Sequence, residues 1–404
     1  MRIMYLTQWF EPEPNIIKGL AFVRALEAAG HEVTVVTGLP NYPTGRIYPG
    51  YRLAAIQRET VEGVRVIRLP LYPSHDASSL RRSLNYLSFF GSALVYGLLR
   101  RERYDLAYVY HPPITVGLAA AVAGLARPLP FVLDIQDLWP DTVASTGFAG
   151  ASRLARALGG LCDYVYRRAS SIVVQSEGMR RALVERGVAA AKVTTIRNWA
   201  QAEGSAPAEA PRPPGRPFTL VYGGNLGRAQ ALETVVEAAA ILQVQRAPVA
   251  IRLHGEGLQA EALRARAARL GVSLLTFEPR VGPARIAAIF ADADALLMHL
   301  APDPLFAITI PSKTQAYLAM GRPIVAGVAG EAADILRESG AARVTPPGDA
   351  EALARAIAEL AALPQAERDA MGEAGRRYYR QHLAFEQGMD RTVALLEGIN
   401  TQRP

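Results

Sequence analysis

Residues 301–336, APDPLFAITIPSKTQAYLAMGRPIVAGVAGEAADIL, hold the alternation of elements that decides the fold. A proline-interrupted loop leads into a predicted helix over 314–320, which the sequence Gly321-Arg322-Pro323 ends. The apolar run 324–328 is typical of a buried strand of a parallel sheet, and a further helix begins at Glu331. This strand–loop–helix order predicts a parallel α/β sheet.

The start of the helix over 314–320 is a candidate anion site. A helix that begins at the carboxyl edge of a parallel sheet points unpaired N–H groups and a positive dipole end out of that edge. Such an end binds phosphate groups well, and Lys313 adds a full positive charge beside it. The segment therefore predicts a site for a diphosphate.

The same alternation occurs twice along the 404 residues, and a stretch rich in Ala, Pro and Gly at 201–217 separates the two series. We predict two doubly wound, Rossmann-like α/β domains that face each other across a cleft. The predicted division is 1–200, a linker at 201–217, 218–375, and C-terminal helices at 376–404 that cross back to the first domain.

Charge and cysteine content restrict the classes of function. The chain has a net charge of +7, and residues 1–200 hold 23 Lys and Arg against 15 Asp and Glu, a net of +8. The first half is thus expected to meet an anionic partner. No nucleic-acid-binding motif accompanies the charge, so we predict no nucleic acid partner. The single cysteine, Cys162, excludes a disulfide framework and is typical of a cytoplasmic protein.

The apolar stretch 83–99 raises the question of a membrane. It is flanked by Arg81-Arg82 and Arg100-Arg101 and is short for a transmembrane helix of about 20 residues. We predict a buried or interfacial helix and a peripheral contact with the inner face of the cytoplasmic membrane. The N-terminus carries no signal-peptide pattern.

Several fragments in register resemble one family. They are MRIMYLTQWFEPEP, GHEVTVVTGLPNYPTGRIYPGY, DIQDLWPD, YGGNLGRAQALETVVEAA, HGEG and PSKTQAYLAMGRPIVA. Their order and spacing resemble glycosyltransferase family 4, in particular bacterial enzymes of capsule, O-antigen and colanic-acid-type synthesis, including fucosamine transferases. The resemblance implies the GT-B fold and metal-independent transfer of a sugar, with retention, from a nucleoside diphosphate.

The loop over 223–230 and the helix start near Lys313 suit this chemistry. Glycines at 223 and 224 let backbone N–H groups approach a phosphate, and Arg228 is able to form paired hydrogen bonds with its oxygens. We predict catalytic roles for Arg228 and Lys313 on the diphosphate. The predicted donor contacts in this half are Gly224, Asn225, Leu226, Arg280, Ser312, Thr314, Gln315 and Glu331.

The chain departs from the family pattern at several positions. Where relatives carry two glutamates ahead of the Gly-x-Pro turn, it has Ile308 and Ala316, and where they often carry Arg and Lys it has Asn225 and Gln230. Gln315 or Glu331 are candidates, by position, to replace the missing carboxylates. The changes leave room for a deoxy or N-acetylamino sugar.

The first half supplies the remaining candidates. Asp137, in a position where relatives carry a His-Asp pair, is a predicted catalytic group that orients the acceptor hydroxyl, or else a helix cap. Asn15, Ile16 and Lys18 lie in the loop that, by the resemblance, touches the donor. Trp9, Tyr42 and His111 are predicted acceptor contacts. The alternatives are a lipid surface or core or loop packing for the two aromatic rings, and a base contact or a structural role for His111.

The leading functional prediction is a glycosyltransferase that uses a nucleotide sugar, UDP-linked rather than GDP-linked, and a polyprenyl-diphosphate-linked glycan as acceptor. No cofactor and no metal are predicted. The sequence Asp292-Ala293-Asp294 spells a metal-binding dyad but falls at a helix-to-strand junction, so we interpret it as capping. The alternatives are a nucleotide-sugar 2-epimerase and a catalytically degenerate nucleotide-sugar-binding partner subunit.

Overall fold

The computed structural model describes residues 1–14, 17–74, 79–111, 113–139, 151–200 and 216–401. The chain divides into two compact units. The first contains Met1–Arg197 and Gly388–Pro404, and the second contains Asn198–Gln387. Each unit is built on a mainly parallel sheet with helices in the connections, which confirms the prediction of two doubly wound α/β units.

In the described residues the first unit has an eight-stranded sheet in the order β3-β4-β2-β1-β5-β6-β7-β8, parallel except for the hairpin β3–β4. Its strands are β1 Arg2–Leu6, β2 Glu32–Gly38, β3 Gln57–Val61, β4 Val64–Leu69, β5 Leu106–His111, β6 Phe131–Ile135, β7 Ser171–Val174 and β8 Val193–Thr195. Its helices are α1 Leu20–Ala28, α2 Ser79–Leu99, α3 Ile114–Ala126, α4 Ala151–Arg168 and α5 Glu177–Glu185.

The described part of the second unit has a six-stranded sheet, parallel throughout, in the order β11-β10-β9-β12-β13-β14. Its strands are β9 Phe218–Gly223, β10 Val249–His254, β11 Leu275–Glu278, β12 Ala295–His299, β13 Ile324–Gly327 and β14 Ala342–Thr345. Its helices are α6 Glu233–Val244, α7 Ala260–Arg269, α8 Pro283–Asp292, α9 Pro304–Ala307, α10 Ser312–Met320, α11 Glu331–Glu338, α12 Ala350–Ala362 and α13 Gln365–His382. The last helix, α14 Phe385–Thr401, begins in the second unit and continues into the first unit.

The central strands are apolar because helices cover both faces of each sheet. Strands β12 and β13 are buried along their whole length, and two clusters of buried side chains lie on opposite faces of the second sheet. Gly321, with φ of 65°, ends α10 in the left-handed conformation that glycine adopts without strain. The Gly-Arg-Pro sequence therefore stops the helix as predicted.

The limits of the two units differ from the predicted domain limits. The first boundary falls after Arg197, and Gly388–Pro404 belongs to the first unit, whereas residues 376–387 belong to the second. Most of the predicted linker, 201–215, lies outside the described residues. None of the helices in the described ranges combines the length and the apolar character needed to cross a membrane.

Candidate active site

The order of the second sheet locates its crevice. In an open parallel sheet, ligands bind beyond the carboxyl ends of the strands where the strand order reverses, and here that point lies between β9 and β12. The loop that follows β9 carries Gly224 and Arg228, and the connection that follows β12 ends at Ser312, the first residue of α10. The topology therefore brings the two segments predicted to bind the diphosphate to one edge of the sheet.

Two glycine-rich loops pack backbone to backbone at this edge. A Cβ atom on Gly255 would lie 1.8 Å from the Gly224 carbonyl oxygen, and one on Gly257 would lie 2.5 Å from the Leu226 carbonyl oxygen. The N–H of Gly224 donates to the His254 carbonyl at 2.9 Å, and that of Leu226 donates to the Glu256 carbonyl at 2.8 Å. The HGEG sequence thus supports the loop after β9, because side chains at its glycines would displace that loop.

Lys313 lies against this loop. Its Nζ is 5.0 Å from the centroid of the Tyr222 ring, and a Cβ on Gly224 would stand 2.7 Å from the same nitrogen. Within the described residues the ammonium group forms neither an ion pair nor a hydrogen bond, and burial lowers its pKa to about 8. A partly desolvated cation without a carboxylate partner favours an anionic ligand.

A short turn after Gly227 positions Arg228. The Gln230 side chain accepts a hydrogen bond from the Gly227 N–H at 3.2 Å, and the Gln230 carbonyl lies 2.9 Å from Nδ1 of His299. His299 is buried, and its Nε2 accepts from the Gly348 N–H at 3.3 Å, so Nδ1 carries the donated proton. The Arg228 side chain at the start of this turn is exposed. His299 was not among the predicted site residues. Its position at the end of β12, and so at the carboxyl edge of the sheet, was the feature that could have identified it.

Three of the predicted donor contacts have buried side chains. Thr314 and Gln315 lie on the buried face of α10, and the Thr314 hydroxyl is directed at the Met298 sulfur at 3.8 Å. Residues two apart on a helix point in very different directions, so Gln315 cannot share the face of Lys313. Leu226 is a core side chain, and its N–H and carbonyl are used within the two packed loops. The buried Gln315 amide has no hydrogen-bond partner among the described residues.

The other candidates of this half lie at the carboxyl edge. Asn225 and Ser312 are exposed, in the loop after β9 and at the start of α10, and the structure shows no side-chain cap on that helix. Arg280 is exposed just after β11. Glu331 begins α11, where a negative charge is stabilised by the positive end of the helix. The structure brings Arg228, Asn225, Ser312 and Lys313 to the switch point, whereas Arg280 lies after β11 and Glu331 lies at the start of α11.

Aromatic side chains gather at the carboxyl edge of the first sheet. The Trp9 ring lies 6.0 Å from Tyr42 and 6.2 Å from Tyr86 of α2, measured between centroids. The negative charge of Asp137 is one of the causes, after burial, that raise the pKa of Tyr86 and of Tyr110. The Asp137 side chain keeps contact with solvent, yet surrounding protein raises the pKa of its carboxyl group by desolvation. Trp9, Tyr42 and Asp137 therefore border one surface. Tyr86, which was not among the predicted residues, borders the same surface.

Lys18 does not face a ligand. It is fully buried, and its ammonium group pairs with the Asp134 carboxylate and lies 3.3 Å from the Tyr108 hydroxyl. A buried charge needs such a partner, so the prediction of Lys18 as a donor contact is wrong, and its role is to join the loop after β1 to the sheet. Asn15, Ile16 and the side chain of His111 lie outside the described residues.

The aspartates resembling a metal dyad have structural partners. Asp294 is buried, accepts the Thr219 N–H at 2.8 Å and pairs with Arg216 at 3.2 Å. Asp292 ends α8 with a carboxylate 3.8 Å from the same arginine. Among the described residues, no group of three or more His, Cys, Asp or Glu is arranged to hold a metal ion.

Comparison with known families matches both units. Residues 20–199 match the model of the Glycosyl transferase 4-like domain, and residues 217–362 match that of Glycosyl transferases group 1. Together these matches cover most of the chain.

Individual relatives agree with the family models. A protein of Escherichia coli K12 described as a colanic acid biosynthesis glycosyl transferase, WcaI, is 28% identical over 363 residues, 85% of this chain and 87% of its own. The Anabaena protein Alr3699/HepE, solved in complex with UDP and glucose, aligns over 98% of this chain and 99% of its own with a TM-score of 0.68 and 16% identity. Sucrose-phosphate synthase of Thermosynechococcus elongatus aligns over the whole of both chains with a TM-score of 0.73 and 18% identity.

Proposed function

The chain belongs to glycosyltransferase family 4 and has the GT-B fold, and from that premise we propose the reaction it catalyses. The proposal is retaining, metal-independent transfer of a sugar from a UDP-sugar to a lipid-linked glycan in bacterial surface polysaccharide synthesis, at the inner face of the cytoplasmic membrane. The observation that supports the choice of donor is the Lys313 ammonium group. It lies beside the Gly224 loop and has no anionic partner in the part of the chain that the structure describes.

In the proposed reaction an acceptor hydroxyl oxygen bonds to the anomeric carbon while the bond from that carbon to the β-phosphate oxygen breaks. The bonding electron pair leaves with UDP, and the hydroxyl proton passes to the departing phosphate oxygen. Negative charge grows on the diphosphate as the bond breaks. Lys313 and Arg228 stabilise that charge, and their positions are set before the reaction by the packed loops and by the His299 hydrogen bonds.

Support for a uridine nucleotide comes from solved relatives of the same fold, HepE in complexes with UDP and with UDP-glucose. The proposed base contact is the exposed segment around Arg280 after β11. No carboxylate stands at Ile308 or Ala316, where relatives carry glutamates. We propose that the sugar is a deoxy or N-acetylamino sugar, because it presents different hydroxyl groups to this region.

Support for the acceptor comes from the first unit and from a relative. The half-buried rings of Trp9, Tyr42 and Tyr86 offer the flat apolar surfaces on which sugar rings stack, and Asp137 lies nearby to orient a hydroxyl. The description of WcaI as a colanic acid biosynthesis glycosyl transferase supports a surface polysaccharide as the product. The excess positive charge of residues 1–200 suits an acceptor linked to a lipid diphosphate.

The test begins with a thermal-shift screen of UDP, GDP and their sugars on the full chain. A ligand present at about 100 times its Kd should stabilise the protein by about 2.7 kcal/mol. UDP and one UDP-sugar should raise Tm more than the GDP compounds, and a stronger GDP effect would overturn the choice of base.

The stabilising sugar is next incubated with a polyprenyl-diphosphate-linked glycan, with and without EDTA, and the product linkage is read by NMR. Transfer with the donor's anomeric configuration, undiminished by EDTA, is expected. Conversion of the nucleotide sugar without acceptor would instead indicate an epimerase. Binding without any turnover would indicate a degenerate partner subunit.

A further inference from the structure

Helix α2 exposes an apolar stripe to solvent. Its five large apolar side chains with high exposure are Leu80, Leu84, Leu87, Val95 and Leu99. Their exposed fractions run from 44% at Leu84 to 75% at Leu99. The spacing in the sequence follows the helical repeat, so they form one stripe along a helix roughly 30 Å long. Such a continuous apolar surface points to a partner.

A groove of about 660 Å³ lies beside the second half of this stripe. Val95 and Leu99 line it from α2, and Ile56, Leu69 and Pro70 line it from the opposite side. Gly91 and Ser92 of α2 form part of the wall and leave room between these side chains. A groove of this volume and apolar lining has the dimensions of a site for a hydrocarbon chain.

Positive charge borders both the stripe and the groove. Arg58, Arg100 and Arg101 are lining residues, and the acid among the described lining residues, Glu102, is paired with Arg58 at 3.4 Å. Helix α2 itself contains no Asp or Glu, and Arg81 and Arg82 stand in its first turn. An apolar stripe next to arginines is the pattern of a helix that lies in the surface of an anionic membrane.

We propose that α2 and the groove dock on an anionic phospholipid bilayer, with one lipid hydrocarbon chain in the groove. The inference deepens, and rests on, the membrane contact of the proposed function. Other occupants fit less well. A symmetric second copy would place the same arginines against each other, and a nucleic acid would leave the leucines in contact with water. Tyr86 of α2 borders the acceptor surface, so a docked α2 would hold that surface near lipid-linked glycans.

The test is flotation of the full chain with vesicles of phosphatidylcholine alone or of an equimolar mixture with phosphatidylglycerol, without any nucleotide sugar. Binding to the mixed vesicles, at least about tenfold tighter than to the neutral ones, is expected because several arginines act together. Equal binding to both vesicles, or binding to neither, would overturn the proposal.

Matched variants locate the surface. The double substitution Leu84→Glu with Leu87→Glu should weaken binding by about tenfold or more, since it places charge in the apolar stripe. Its control is Val244→Glu with Leu258→Glu, at apolar side chains of the second unit that are 85% and 95% exposed. Arg101→Glu should weaken binding about fivefold or more, against Arg269→Glu as control. Equal losses in test and control variants would overturn the assignment to α2.

Two further outcomes name other partners. Loss of a dimer, measured by sedimentation without vesicles, in the Leu84 and Leu87 variant would assign the stripe to a second copy and overturn the lipid proposal. Binding only to vesicles that contain undecaprenyl phosphate would assign the groove to the acceptor lipid instead of the bilayer. UDP binding by calorimetry should be unchanged in every variant, so failure of the donor proposal is measured separately.

Discussion

Lys313 is one of three lysines among 44 basic residues. The other two have protein partners, since Lys18 pairs with Asp134 and Lys192 donates to the Arg167 carbonyl at 2.9 Å. Lys313 differs because its ammonium is surrounded by the Tyr222 ring and the Gly224 backbone. The cost of desolvating this charge is recovered when a diphosphate binds, which is why we assign it the central role in the donor site.

Substitution of Lys313 by Met is expected to lower the transfer rate about a hundredfold, because it removes one fixed cation from the transition state. Tm should be unchanged or higher, since the ammonium is desolvated in the free protein. Steady-state transfer rates and Tm measure the two effects. Lys192→Met is the control and should retain full activity. An unchanged rate in a folded Lys313 variant would remove this residue from the mechanism.

Binding of UDP is expected to weaken as pH rises through 8, where burial places the pKa of Lys313. Below that pH the free protein already holds the ammonium. Above it, binding the anion must first take up a proton, so affinity should fall about tenfold between pH 7 and pH 9.

Calorimetry at pH 8.5, in two buffers of different ionisation enthalpy, should detect this proton uptake. Lys313→Met should bind UDP weakly at both pH values without the change. A wild-type affinity independent of pH would contradict the assignment. The free energy of unfolding of the unliganded protein should change in the opposite direction to the UDP affinity. Because the pKa of Lys313 is lower in the folded than in the unfolded protein, stability should increase as pH rises above 8.

At the scale of elements, the site depends on the contact between the two glycine-rich loops. Gly255→Ala should destabilise the second unit and weaken UDP binding together, because its Cβ would meet the Gly224 carbonyl oxygen at 1.8 Å. A loss of about 1–3 kcal/mol is expected for such overpacking. Urea unfolding and calorimetry with UDP test both effects.

The control for that substitution is Gly160→Ala in α4. Gly160 is exposed within a helix, and a Cβ there meets no atom within 4 Å. Replacing a helical glycine by alanine at such a site should stabilise the protein by roughly 0.5–1 kcal/mol. If Gly255→Ala bound UDP as well as the wild type does, the packed loops would not be what positions the donor.

The sequence predicted the limits of α10 to within two residues but not which face of this helix points outward. The helix that contains Lys313 was predicted together with its Gly-Arg-Pro stop. The pattern did not reveal that the side chains of Thr314 and Gln315, two predicted donor contacts, are buried. A nearly uniform mix of apolar and polar residues gives α10 no distinct face. Lys18 was misassigned because its partner, Asp134, lies 116 positions away in the chain.

Edge strands were also missed. Strand β3 reads QRETV, and its alternating, partly exposed side chains give a weaker signal than the buried central strands. The feature that identifies β3 is the turn at Glu62-Gly63, which joins β3 to β4 as a tight hairpin. Both turn residues have positive φ values, 44° and 93°. Pairing of this kind is decided by the neighbouring strand, so the sequence of β3 alone did not reveal it.

At the scale of the whole molecule, each unit carries its candidate surface at the carboxyl edge of its own sheet. The first unit places the aromatic surface beyond β1, and the second places Lys313 and Arg228 beyond β12 and β9. This repetition follows from the doubly wound topology, which was predictable from the alternating pattern. The sugar and the acceptor depend on a few side chains around these edges, and the pattern of elements carries no information about them.

The two units should differ in their response to acid. In the second unit, burial lowers the pKa of His254 and His299, so unfolding takes up protons as pH falls below the ordinary value near 6.5. In the first unit, His31 acts in the same direction, but burial raises the pKa of Glu13 to about 7. That carboxyl group contributes stability at low pH that is lost as pH rises through 7.

Hydrogen exchange of β12 and β5 peptides, corrected for intrinsic rates, should therefore show a larger loss of protection in the second unit than in the first between pH 7.5 and 5.5. His299→Gln should reduce that loss, because glutamine cannot take up a proton on unfolding, whatever the change in absolute stability. Glu13→Gln should make the first unit more sensitive to acid, since it removes the opposing contribution. Equal losses in both units of the wild type would mean that the buried histidines do not govern acid stability.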